Sequence, residues 1–292
     1  MVQSRQSLFA RILAASTFTT MAAAQIYTTD ARVASPELLQ LEERVDYLVR
    51  DRGEDLRAAT TLVWSPADWL QTDWTVPFLH RRARFPSGGG FVSSEVDGLG
   101  DVVLNTKWAL LRNDEPMETD RVSLLAGVLL PTGDYEDSEQ GVPLPRRLQL
   151  GLGCPGAAVG LGATWVRDRH RAAVAFRGWH FAEHDGFAPG EELSLDLAWW
   201  YRLSPARFGP GMDGPEWRMT VELLSRWVAD DELAGQSQQN GGGEVAAALG
   251  LQCSVVPSVR VEVGARAPLA SDLDHPAGDE RFMFPLSVRC FF

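Results

Sequence analysis

Nucleophilic and metal chemistry needs particular residue types at fixed spacings, and His80, His170, His180, His184 and His275 are instead scattered along the chain. No G-x-S-x-G elbow and no H-E-x-x-H pair occurs. His180 and His184 could meet at one strand end, but without further ligands they read as loop residues. The three cysteines, Cys154, Cys253 and Cys290, lack zinc spacing and read as small apolar strand residues; one Cys154 to Cys253 bridge stays open for an oxidising compartment. The sequence therefore predicts no catalytic residue, metal or cofactor.

Charge recurring at every second position is a different signal. Leu193, Leu195, Leu197, Trp199, Tyr201 and Leu203 alternate with residues that include Asp196 and Arg202. Trp217, Met219, Val221, Leu223 and Trp227 alternate with Arg218, Glu222 and Arg226, and Val259, Val261 and Val263 with Arg260, Glu262 and Arg266. Phe282, Phe284, Leu286, Val288, Cys290 and Phe292 share one face against Arg289, while Val102, Leu104 and Trp108 oppose Asp101 and Lys107. Period two over a dozen residues makes strands that are apolar on one side and charged on the other. The charged set, Asp101, Lys107, Asp196, Arg202, Arg218, Glu222, Arg226, Arg260, Glu262, Arg266 and Arg289, is expected to line one inner wall. It sets the selectivity of a solute path, or it bridges across a narrow lumen and plugs it.

The elements that position these residues follow from the same period. Weaker strands run over Arg57 to Trp64, Asp73 to His80, Arg121 to Leu130, Gly156 to Val166, Arg171 to Phe181 and Glu244 to Cys253. Leu38 to Val49 alternates as a strand behind a Ser35, Pro36, Glu37 start that resembles a helix, and is taken as the first strand. The fold class is all-β, an antiparallel transmembrane barrel of about twelve strands. Long connections (Arg81 to Gly98, Thr132 to Arg147, Ala182 to Gly190, Ala229 to Gly241, Leu269 to Glu280) alternate with mostly shorter ones, which puts the long ones outside the cell. The acidic excess falls on the long ones, so the net charge of −12 is mostly loop charge, and nucleic acid is not an expected partner. Trp108, Trp179, Trp199, Tyr201, Trp217, Trp227 and Phe292 are expected on the lipid side as interfacial anchors.

Arg5 and Arg11 precede an apolar small-residue stretch that ends Ala22, Ala23, Ala24, as a secretory signal does. Residues 1–24 are thus expected to be a signal peptide, 25–37 a periplasmic segment and 38–292 the barrel. His80, Arg81, Arg82 and Arg84 form a basic knot at the proposed outer rim, where lipopolysaccharide phosphates or plain solvation would explain it.

The strings Gly98-Leu99-Gly100-Asp101-Val102 with Lys107, and Leu130-Pro131-Thr132-Gly133-Asp134-Tyr135, resemble the outer-membrane barrels associated with the meta-pathway of phenol degradation. The resemblance runs from about Ala58 to Phe292, with Cys154 and Pro155 standing where a glycine–serine turn is expected. It implies a Gram-negative outer-membrane location among lipid and lipopolysaccharide, and import of small hydrophobic or aromatic solutes by passive diffusion or lateral release. A final strand carrying Phe284, Leu286, Val288 and Phe292 resembles the signal read by the outer-membrane assembly machinery. The alternatives are a closed-lumen structural or adhesive barrel and an outer-membrane lipid-modifying enzyme.

Overall fold

The computed structural model describes Thr28, Asp30, Ala31 and residues 38–87, 90–115, 118–139, 141–205 and 214–292. The expected signal peptide lies outside the described residues. Twelve strands close into an antiparallel barrel. They are β1 (Leu39–Arg50), β2 (Gly53–Ala67), β3 (Leu70–Ser87), β4 in two pieces (Gly90–Leu99 and Val102–Glu115), β5 (Glu118–Leu130), β6 (Gly156–Arg167), β7 (His170–Phe181), β8 (Glu192–Ser204), β9 (Glu216–Val228), β10 (Gly242–Val256), β11 (Val259–Ser271) and β12 (Glu280–Phe291).

Each strand pairs with its sequence neighbours, and β12 returns to β1 with Gln40 opposite Phe291 and Tyr47 opposite Phe284. Reciprocal backbone bonds between Leu39 and Phe292 extend that seam to the last residue. Closure leaves no edge, which a sheet in lipid requires because no water is available to unpaired backbone groups. The segment Leu38 to Val49 is β1, so its alternation outweighs its helix-like start.

Alternation sorts the side chains as the sequence predicts. On β8, Leu193, Leu195 and Leu197 are 43%, 46% and 44% exposed on the lipid face, whereas Ala198 and Trp200 on the lumen face are 6% and 1% exposed. Trp64, Trp69, Trp74, Trp165 and Trp217 are exposed near the short-turn end, where amphipathic rings suit the membrane interface. Trp179 departs from expectation. It shares the parity of Arg171, Ala173 and Ala175 and enters the lumen, where a Cβ on Gly127 would lie 3.1 Å from its ring. Residue type suggested a girdle; register decides the face.

One connection also differs. Arg81 to Gly98 is strand, not loop: Phe78 to Ser87 of β3 pairs with the first piece of β4 as a long hairpin. That register divides the basic knot. Arg81 turns inward and Arg82 outward, where Arg82 meets Glu95 at 2.6 Å and Glu54 at 3.6 Å. All three cysteines are free, so the Cys154 to Cys253 bridge does not form. Cys154 lies before β6, with its thiol 3.4 Å from the Phe187 carbonyl oxygen.

The two family-like strings meet at the break in β4. Asp101 accepts bonds from Gly133 N–H at 3.0 Å and Leu152 N–H at 2.7 Å, while Thr132 bridges Gly100 and Val102. A Cβ on Gly133 would lie 2.8 Å from Gly151 Cα, so backbone crosses backbone there and glycine is required. This crossing turns residues 131–139 and 141–155 over the barrel mouth. Leu144 and Leu148 then bury against Ala83 and Phe85 of the hairpin and Ala277 of the β11–β12 loop. Arg147 reaches Asp231 of the β9–β10 loop at 2.5 Å.

Candidate functional site

Beneath this cap the lumen holds two adjoining chambers. The outer one, about 480 Å³, is lined by residues of the cap together with Arg50, Asp55, Arg81 and His275. The central one, about 540 Å³, includes Arg44, Thr61, Asp73, Asn105, Ser194 and Asp196. Asp46, Arg57, Arg226, Glu244, Arg266 and Met283 line both, so the chambers adjoin at these side chains.

Below the central chamber lies the N-terminal segment. Of residues 25–37, Thr28, Asp30 and Ala31 are described, and all three are buried inside the barrel. Glu222 accepts from the Thr28 N–H at 2.9 Å and its hydroxyl at 3.0 Å. Thr164 receives the Ala31 N–H at 3.0 Å and donates to Asp30 at 2.8 Å, and Asp30 pairs with Arg171. The wall is shaped for this. Gly160, Gly162, Ala173 and Ala175 face inward on β6 and β7, and a Cβ on Gly162 would come 3.6 Å from the Ala31 side chain. Small residues leave room for a chain that polar neighbours anchor.

The predicted wall residues all face inward, but they divide among different neighbourhoods. Asp196, Arg226 and Arg266 line the central chamber. Asp101 borders the outer chamber while holding the cap. Glu222 is occupied by Thr28. Arg202 and Arg218 border a small recess of about 50 Å³ near the inner turns, with Arg171 stacked on Trp200 at 4.3 Å. Glu262 accepts from Gln252 at 2.8 Å, Arg289 reaches Glu42 at 3.2 Å, and Arg260 bonds Ser254 and stacks on Phe291. Lys107 is buried in the wall. The predicted charges thus divide among chamber lining, anchoring of the buried segment and wall packing.

Sequence reasoning missed Arg44, Asp46, Arg57, Asp73 and Glu244. Glu42, Arg44 and Asp46 were legible, being the positions that alternate with Leu41, Val45 and Tyr47. Arg57 and Asp73 belong to strands whose alternation is interrupted by small or polar residues. His180 and His184 are not joined: His180 lies 2.9 Å from Glu191, and His184 contacts Tyr135 and Asp185. Among the described residues no group of three or more His, Cys, Asp or Glu could hold a metal ion.

The outer loops carry their own electrostatics. Burial would raise the carboxyl pKa of Asp231, but Arg147, the Gly190 N–H and Asn240 outweigh it and hold it below the ordinary value. On the β11–β12 loop, burial and then the nearby guanidiniums of Arg50, Arg81, Arg147 and Arg226 lower His275 to about 2. The imidazole is neutral at physiological pH.

A family model described as "Putative MetA-pathway of phenol degradation" matches residues 24–271. Among curated proteins none matches the sequence. Among solved structures, an outer membrane channel from Pseudomonas putida F1 aligns over 92% of this chain and 100% of its own, with TM-score 0.70 and 12% identity. The NanC porin aligns over 86% and 98% with TM-score 0.47 and 10% identity. The outer membrane protein OprD from Pseudomonas aeruginosa aligns over 92% and 98% with TM-score 0.40 and 11% identity. At these identities the likeness is one of fold, and only the first is close enough to bear on it.

Proposed function

The chain belongs to the family described as "Putative MetA-pathway of phenol degradation", and from that premise we propose that it is an outer-membrane channel for passive passage of small solutes, hydrophobic and aromatic ones included. The observation that carries this reading is the pair of adjoining chambers inside a closed barrel. A lumen serving only as a scaffold has no need of about 1,000 Å³ of open space, roughly thirty times the volume a water molecule takes in the liquid. The cap above and the anchored segment below make passage depend on their displacement or on a narrow route beside them. The lipid-exposed row of Phe284, Leu286 and Phe292 is the surface that outer-membrane lipid and the assembly machinery would meet. The exposed basic residues of the hairpin, among them Arg84 stacked on Phe91, suit lipopolysaccharide phosphates.

A second reading, a closed-lumen structural barrel, is favoured by the buried bonds of Thr28, Asp30 and Ala31. Swelling of proteoliposomes loaded with small sugars and aromatic solutes separates the two. Passage predicts solute-dependent swelling above that of empty liposomes. A folded, heat-modifiable barrel that admits neither solute class supports the closed lumen.

A further inference from the structure

We propose that the outer chamber binds a small organic anion with an apolar body, its head group held by the guanidiniums of Arg50, Arg57, Arg81 and Arg226. This rests on reading the lumen as a solute path, and it names a class of solute. The chamber contains acids as well as arginines, so the argument turns on which charges are already engaged.

Of the eight acids that line the chamber, four are committed by hydrogen bonds, and Asp55, Glu192, Asp274 and Asp279 are not. Asp101 is taken by two backbone N–H groups, Asp46 accepts Arg44 Nε through both oxygens at 2.8 and 2.9 Å, and Glu244 and Glu280 both hold Arg266. The four arginines have no such carboxylate bonds, although Arg81 donates Nη1 to the backbone carbonyls of Arg147, at 3.3 Å, and Gln149. Asp55 stands 3.6 Å from Arg50 and 3.9 Å from Arg81, and Glu192 stands 3.9 Å from Arg226, all beyond hydrogen-bonding distance. The Nε atoms of Arg50 and Arg81 are buried with no hydrogen-bond partner among the described residues. Arg57 lines both chambers and makes no hydrogen bond among the described residues, with Asp46 as its only attractive charge. Guanidinium donors left over in a cavity are what an oxyanion satisfies, because buried unpaired donors are costly and charge-assisted bonds are strong.

The rest of the chamber gives the body of the ligand its character. Leu79, Val103, Leu129 and Leu150 line the β3–β5 side and the cap, apart from Arg50, Arg57 and Arg226 of β1, β2 and β9, while Arg81 shares β3 with Leu79. A volume of about 480 Å³ falls in the range of small-molecule sites. A polar head on one wall and an apolar tail on the other satisfies both. His275 beside Arg50, Arg81 and Arg226 is neutral, so it offers the head group no competing charge of either sign.

Benzoate and its uncharged counterpart benzyl alcohol are the probes, measured by titration calorimetry on the folded full chain in detergent. Benzoate is expected to bind, benzyl alcohol at least tenfold more weakly, and Arg57→Gln to weaken benzoate about tenfold, the scale of one charge-assisted hydrogen bond. Arg226→Gln, at a half-exposed side chain, should do the same without burdening the fold, and Arg82→Gln on the outer face should bind as the intact chain does. Equal affinity for the two probes, no benzoate heat at tens of millimolar, or unchanged benzoate affinity in both lumen variants overturns the proposal. Because binding is read without a membrane, a barrel that swells liposomes but ignores benzoate sinks this site and leaves passage intact. One that binds benzoate and passes nothing upholds the site and sinks passage.

Discussion

Replacing Asp30 with Asn should loosen the N-terminal segment in the lumen without unfolding the barrel. Asp30 receives the Thr164 hydroxyl at 2.8 Å and pairs with Arg171, whose guanidinium is 4.3 Å above the buried ring of Trp200. Asn keeps one acceptor but leaves Arg171 without this carboxylate. Removing one partner of a buried pair costs about 3–5 kcal/mol, and the retained acceptor reduces this to about 2–3 kcal/mol. The ratio of held to displaced segment then falls roughly 30- to 150-fold. Thr28 and Ala31 remain bonded to Glu222 and Thr164, so displacement stays reversible. The assay is single-channel recording in planar bilayers, with heat-modifiable gel mobility as the folding control. More frequent and larger openings are expected, and Glu222→Gln, which weakens the bonds to Thr28, should shift them in the same direction. Openings within twofold of the intact chain in both folded variants would refute the idea that these bonds hold the segment.

Further predictions concern the cap, the glycine crossing and the seam. Asp231 has a pKa held below its ordinary 3.8, so its bond to Arg147 contributes stability above that value and loses it as pH falls through the lowered one; conductance should change in that acid window and Asp231→Asn should abolish the step. Gly133→Ala places a methyl 2.8 Å from Gly151, and overpacking of about 1–3 kcal/mol should lower the temperature at which the barrel loses its compact gel mobility. Deleting Phe292 removes its bonds to Leu39 and the exposed terminal ring, so outer-membrane yield should fall while conductance of the surviving protein is unchanged; normal yield would count against an assembly signal.

The strands were legible because lipid and lumen impose opposite polarity on alternate residues. β8, β9 and β11 carry that contrast throughout, and even β1, with its helix-like start, takes the face its alternation assigns. What was not legible comes from contacts distant in sequence. Trp179 looks like a girdle residue until the register of β7 turns it inward. Asp101 reads as one wall charge among many, yet its role depends on Gly133 and Leu152 arriving from elsewhere. The extension of β3 and β4 past the rim is hidden by Ser, Gly and charged residues that suit a loop equally well. The bonds of Thr28, Asp30 and Ala31 inside the barrel have no local signature. The small residues of β6 and β7 are their only trace, intelligible once the occupant is seen.

Passage through the chambers is tested most directly by thiol modification during current recording. Ser194 lines the central chamber, and the adjacent Leu195 faces lipid. With the intact chain as control for the native cysteines, a charged methanethiosulfonate reagent should change the current through Ser194→Cys and leave that through Leu195→Cys unaltered. Equal responses at the two positions, or current through Ser194→Cys that the reagent does not touch, would contradict a solute path through this lumen.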